Sequence, residues 1–195
     1  MYYSAYAKTD AGGTLGQEIH RYDGNNVEVF NLDASSNSTD PMYITPVTTG
    51  SYGDGIIFRG NINNEAGTEL QFIPNSAQEP LAESVITIDI DPGTGSSQPA
   101  IFSTLSSGEG KYFPISADNN YAYMQAREAT VGYELFRVDL QNFTSEAIAN
   151  TNSGALHGGA EAITIFNDDV YFRATDGSNG YELYKWDSTT GNASL

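Results

Sequence analysis

The sequence predicts an all-β fold, a β-propeller-like array of about four antiparallel four-stranded repeats, with a two-sheet β-sandwich built from the same strands as the alternative. Three observations predict it. One strand–turn–strand motif occurs four times, and its glutamates Glu18, Glu69, Glu134 and Glu182 are 51, 65 and 48 residues apart. Strand-built periods of about 40–50 residues belong to propeller repeats rather than helical solenoids. Side chains alternate with period two along each motif, and no segment sustains a 3.6-residue period over three turns.

The fullest copy is Asp169-Val-Tyr-Phe-Arg-Ala-Thr-Asp-Gly-Ser-Asn-Gly-Tyr-Glu-Leu-Tyr-Lys-Trp-Asp187. Leu183 and Lys185 point one way, and Tyr184 and Trp186 the other, as a strand requires. Val170-Tyr-Phe172 supplies β-branched and aromatic residues for the preceding strand. Asp176-Gly-Ser-Asn-Gly180 between them offers glycines for positive φ and Asx side chains for local hydrogen bonds. The unit is an antiparallel hairpin. An ungapped second copy, Gly132-Tyr-Glu-Leu-Phe-Arg-Val-Asp139, precedes it. Weaker copies are Gly67-Thr-Glu-Leu-Gln-Phe-Ile-Pro74 and Gly16-Gln-Glu-Ile-His-Arg-Tyr-Asp23.

In chain order, residues 2–7 and 18–22 read as strands around a glycine-rich turn at 8–15. Asp23-Gly-Asn-Asn26 is a tight-turn signal before a strand at 27–32, and 33–41 is a polar loop. Strands at 42–48, 55–60 and 69–73 make the second repeat, with a short helical turn at 79–83. Residues 84–91 alternate as a strand, with Val85, Thr87, Asp89 and Asp91 on one face and Ile86, Ile88 and Ile90 on the other. Strands are also expected at 100–105 and 112–115, so the 65-residue step contains an insertion. The third repeat runs through 121–139 and closes at 144–149; the fourth begins at 162–166 after a loop at 154–159. The whole chain, 1–195, thus forms one repeat domain with repeats at about 1–41, 42–98, 99–153 and 154–195. It begins inside a repeat and stops near the start of a strand, which suggests a fragment of a longer protein.

The pattern resembles the ELWxxDGT-type repeat of bacterial surface and secreted proteins. The fourth copy carries its Tyr171-Phe172, Ala174, Asp176-Gly177, Gly180, Glu182-Leu183 and Asp187, with Tyr184 in place of the Trp. The third keeps Glu134-Leu135 and Asp139 but has Glu128-Ala129 for the Asp-Gly. The second ends on Pro74 instead of Asp, and the first has Ile19 for Leu. The resemblance implies a propeller-like all-β fold and a structural repeat without enzymatic activity.

Composition sets further bounds. Twenty-five acids against 8 bases give a net charge of −17, which argues against nucleic acid, whose binders need a basic face, and against anionic lipid. The absence of cysteine excludes disulfides, thiolate zinc sites and cysteine nucleophiles. No apolar run approaches the roughly 20 residues of a membrane-spanning helix. Abundant Tyr and Gly beside scarce Lys and Arg suit an extracellular or cell-surface protein.

The candidate chemistry is sparse. The repeated glutamates either accept hydrogen bonds from turn amides or serve a cation; Asp176 and Glu182, with Asn179 nearby, are the candidates for calcium, which prefers hard oxygen ligands. Asp23, Asp139 and Asp187 close strands and are expected to bond their own backbone in turns. The pairs Asp89/Asp91 and Asp168/Asp169 would need to converge to act on a glycan. His20 and His157 fall in no catalytic constellation. Among Tyr133, Phe136, Tyr181, Tyr184 and Trp186, Tyr133 and Tyr181 are the expected exposed pair, and with Asn179 the candidate ligand contacts. The expectation is a non-catalytic extracellular module for binding, adhesion or surface assembly. A lectin-like, calcium-dependent domain is the alternative, and a fragment of a glycan-acting enzyme comes third. A protein or glycan ligand would meet the turns, and open strand edges would allow self-association.

Overall fold

The computed structural model describes residues 1–8, 12–32, 38–62, 67–77, 84–93, 95–99, 102–104, 110–112, 115–118 and 120–195. No helix occurs among them; the helical turn expected at 79–83 lies outside the described residues. The strands are β1 (Tyr2–Lys8), β2 (Thr14–Tyr22), β3 (Val27–Phe30), β4 (Met42–Thr49), β5 (Gly53–Asn61), β6 (Thr68–Pro74), β7 (Ile86–Ile88), β8 (Phe102–Thr104), β9 (Gly110–Tyr112), β10 (Ser116–Ala117), β11 (Tyr121–Glu128), β12 (Gly132–Asp139), β13 (Ser145–Ala149), β14 (Glu161–Phe166), β15 (Asp169–Thr175), β16 (Tyr181–Asp187) and β17 (Asn192–Ser194).

They form four antiparallel meanders, β1-β2-β3, β4-β5-β6-β7, β10-β11-β12-β13 and β14-β15-β16-β17, plus a hairpin, β8-β9. The first sheet has three strands where four are expected; its β1 matches β5, β11 and β15, because each is the strand paired with a motif strand. In the fourth sheet Ala174 faces Glu182 and Phe172 faces Tyr184, the register of the hairpin. The closing aspartates do build turns: Asp23 Oδ1 accepts the Asn25 and Asn26 amides, Asp139 Oδ1 that of Gln141, and Asp187 Oδ1 those of Thr189 and Thr190.

The expected strand over 84–91 is corrected to the three residues of β7. After Ile88 the chain leaves the ladder, because the Ile90 amide bonds a glutamate of the neighbouring strand and Asp91 turns to Arg127. The insertion occupies the region of β8 and β9. The strand expected at 112–115 meets β9 only at Tyr112, and residues 113 and 114 lie outside the described set.

The sheets pack in chain order: β1 lies against β4, β4 against β10, and β10 and β11 against β14. One core fills each junction. Ile19 and Phe30 meet Ile56, Phe58 and Ile73 between the first and second sheets. Ile57, Leu70 and Phe72 meet Met124, Phe136 and Val138 between the second and third. Tyr123 and Leu135 meet Val170, Phe172, Tyr184 and Trp186 between the third and fourth. Each side chain of this size contributes about 1.5–3 kcal/mol when fully buried. Both faces of an inner strand are therefore used, as the alternation of Leu135 and Phe136 illustrates.

Candidate functional site

The motif residues organise the junctions. Gly-x-Glu-Leu/Ile lies at or near the start of β2, β6, β12 and β16, and in the first three sheets the segment that leaves the sheet crosses over the glutamate on its way to the next one. Glu18, Glu69 and Glu134 are fully buried, at 0% exposure. Each is saturated by that connector. Glu18 accepts the Leu32 and Thr39 amides and the Thr39 hydroxyl, the last at 2.6 Å. Glu69 accepts the Ile90 amide at 3.0 Å, the Ser97 amide at 2.6 Å and the Ser97 hydroxyl. Glu134 accepts the Thr151 amide and hydroxyl, both at 3.0 Å, and the Asn152 and Gly158 amides at 3.3 and 2.8 Å.

The geometry is repeated beyond the carboxylate. The second donor, Thr39, Ser97 or Gly158, always comes seven positions after the first, Leu32, Ile90 or Thr151. The residue after it is left-handed in all three connectors: Asp40 (φ 47°), Gln98 (φ 43°) and Gly159 (φ 64°). The Thr39, Ser97 and Gly158 carbonyls then accept the amides of Asn61, Arg127 and Thr175 on the next sheet, at 3.0, 2.7 and 2.9 Å. Each connector thus ties two sheets through one buried carboxylate, and we term the arrangement a latch. At the second junction Asp91 adds an ion pair to Arg127 at 2.9 Å and takes the Ala129 amide.

Burial has its electrostatic cost. It pushes the Glu69 carboxyl up to about 7, against the opposing pull of the Ser97 and Ile90 donors, and burial raises Glu134 in the same direction. A carboxylate in such a place is held by its donors, since losing them would leave a buried charge unpaired.

The residues expected to bind ligand or metal occupy different settings. Asp176 Oδ1 accepts the Ser178 and Asn179 amides at 2.8 Å, and its Oδ2 accepts Asn179 Nδ2 at 2.8 Å. These bonds hold its carboxyl below the usual range, the Asn179 amide foremost. Both Asp176 and the Asn179 side chain are engaged with each other in the turn. Glu182 is exposed, and no donor among the described residues reaches it. No group of three or more His, Cys, Asp or Glu side chains placed to hold a metal occurs among the described residues.

The expected exposed aromatic pair is realised in Tyr181, 47% exposed, and not in Tyr133, which is half-buried. The Tyr133 hydroxyl donates to Gln98 Oε1 at 3.3 Å, its amide donates to His157 Nδ1, and its ring lies 4.8 Å from the His157 ring. Connectors thus cover it on two sides. The Tyr181 ring carries the Arg173 guanidinium 3.9 Å from its centroid. Phe136, Tyr184 and Trp186 are buried in the junctions. His20 is buried with its ring stacked on Tyr3.

The paired acids do not converge either. Asp91 serves Arg127, and Asp169 pairs with Lys185 at 2.6 Å. A cleft of about 410 Å³ between β4 and β10 is bordered by Asp54 and Asp118. Asp54 accepts the hydroxyl of Thr48, its cross-strand partner, and Asp118 holds a turn by accepting the Asn120 and Tyr121 amides. The sequence reading missed the connector donors Thr39, Ser97, Thr151 and Gly158. Their only signal was the constant seven-residue interval, which is hidden because the glutamate-to-donor distance varies.

No family model matches the chain, and no curated protein matches its sequence.

Proposed function

We propose that this chain is a non-catalytic extracellular repeat module, a propeller-like array whose role is binding, adhesion or surface assembly. One observation carries the reading: the motif's three buried glutamates are occupied in joining consecutive sheets. The sequential packing of four meanders through three junction cores supports the propeller-like arrangement over a two-layer sandwich. Among the described acids, Asp23, Asp118, Asp139, Asp176 and Asp187 hold turns and Asp91 and Asp169 pair with basic side chains, which supports a non-catalytic reading, since hydrolysis needs two carboxylates about one bond. The acidic, cysteine-free composition supports an extracellular or surface location.

A panel of chromogenic glycosides, esters and phosphate esters tests the reading. The expected result is no turnover above buffer. Turnover that disappears on substituting Asp54 or Asp118 would replace it with an enzyme.

A second, lectin-like reading is favoured by the exposed Tyr181 ring alone. A glycan array probed with the wild-type chain and Tyr181→Ala separates it: loss of a specific signal in the variant would support sugar binding.

A further inference from the structure

We propose that the exposed face of the fourth sheet around Glu182 is a docking site for a polypeptide segment of the connector kind, presented by a partner molecule. The proposal supplies the partner for the assembly reading above and rests on it.

Three features of the molecule point to this occupant. The motif glycines Gly16, Gly67, Gly132 and Gly180 are all left-handed, with φ of 87°, 73°, 79° and 83°. A Cβ on the first three would strike connector backbone: Ser38 Cα at 2.6 Å, the Gly95 carbonyl at 2.3 Å and the Leu156 carbonyl at 2.3 Å. At Gly180 it would meet nothing within 4 Å. The fourth motif therefore has the shape that receives a connector, with open space in the connector's place.

The carboxylate repeats the difference. Glu18, Glu69 and Glu134 each take at least three donors, while Glu182 is exposed with none among the described residues. So does the apolar neighbour on the opposite strand face. Ile19, Leu70 and Leu135 are 0% exposed against the following sheet, whereas Leu183 is 67% exposed. A connector brings both missing halves, donors for Glu182 and the apolar strand that follows for Leu183.

The occupant's chemistry follows from the three latches: two backbone amides seven residues apart, a Ser or Thr hydroxyl between or at them, and a left-handed residue immediately after. Residues 150–160 fit best, because their own receiver Gly132-Tyr-Glu-Leu135 is identical to Gly180-Tyr-Glu-Leu183. In the folded chain that segment is engaged by Glu134, so a segment of this kind reaches Glu182 without opening that latch only when a partner presents it. Residues 150–160 contain no Asp or Glu, whereas a second intact copy would bring its own charge of −17.

The test uses a labelled peptide of residues 150–160, capped at both ends, titrated with the full chain and followed by fluorescence anisotropy. Saturable binding is expected. Glu182→Gln, at an exposed position, should weaken it at least about tenfold by removing a charged acceptor. Thr151→Val in the peptide should weaken it severalfold. Circular dichroism confirms that the protein variant is folded. No saturable binding, or binding equal in wild type and Glu182→Gln, overturns the proposal. Self-association that is lost in Glu182→Gln and not competed by the peptide places a second copy there and also overturns it. Turnover in the substrate panel would instead remove the assembly reading, so the two failures appear in different assays.

Discussion

Thr151 and Gly158 share one volume: a Cβ on Gly158 would lie 2.0 Å from Thr151 Oγ1, the hydroxyl that donates to Glu134 at 3.0 Å. In the preceding latch the hydroxyl comes from the other end of the connector, from Ser97, and the place of Thr151 is held by Ile90. The hydroxyl has changed position while the carboxylate keeps its donor.

The two positions should therefore be coupled. Thr151→Ile removes the hydroxyl and Gly158→Ser clashes with Thr151, and each alone should cost about 1–3 kcal/mol. Together they restore a hydroxyl donor as in the Ile90/Ser97 arrangement, while the serine Cβ still faces the Glu134 oxygens at 2.4 and 2.5 Å, so the pair should cost less than the sum of the single losses without regaining wild-type stability. A double-mutant cycle by urea denaturation measures the coupling; strictly additive losses would show that the two latches are not interchangeable.

Removing a latch carboxylate should be far costlier than removing its exposed counterpart. Glu134→Ala strands buried amides without an acceptor and should lower stability by about 3 kcal/mol or more. Glu182→Ala should change it by less than about 0.5 kcal/mol. Thermal unfolding of the two variants side by side decides this, and equal losses would contradict the difference in burial.

The motif glycines give a parallel contrast. Gly132→Ala and Gly180→Ala both force alanine into left-handed backbone, at about 1 kcal/mol. Gly132→Ala also drives a methyl group into the Leu156 carbonyl, so it should be the more destabilising by at least about another 1 kcal/mol. Denaturation midpoints compare them directly.

Stability should also carry a signature in pH. The folded state holds the Glu69 proton up to about 7, above the ordinary carboxylate value of 4.5. Its contribution is thus full below about 4.5 and is lost as pH rises through 7. Asp23, Asp176 and Asp187, lowered chiefly by turn amides, act in the opposite sense and lose stability as pH falls through the acidic range. The unfolding free energy of the wild type should therefore fall between pH 4.5 and 7 more steeply than that of Glu69→Gln. Parallel profiles would mean that Glu69 titrates alike in the folded and unfolded chain.

Much of the architecture is legible in the residues themselves. Tyr184/Trp186 against Leu183/Lys185 states the strand alternation, and Asp-x-Asx turns announce the hairpins. The latch is not legible in that way, because most of its donors are backbone amides, which every residue type except proline supplies. Its hydroxyl moves between Ser97 and Thr151, and the interval from the glutamate to the second donor ranges from 21 to 28 residues. The over-long strand at 84–91 has the same origin. Its alternation is real, with Ile88 and Ile90 buried, but the Glu69 carboxylate and Arg127 draw Ile90 and Asp91 off the ladder. The exposure expected of Tyr133 fails because the residues that cover it, His157 and Gln98, stand 24 and 35 positions away in sequence.

The latches also have a direction in time. Each glutamate is closed only by residues made later, so Glu134 cannot be sealed before Gly158 has left the ribosome. Synthesis at about 5–20 residues per second leaves that carboxylate hydrated for a second or more, and each repeat waits for the next length of chain. During synthesis, therefore, no junction can close before the connector that follows it has emerged, which sets the earliest closure of the junctions in chain order.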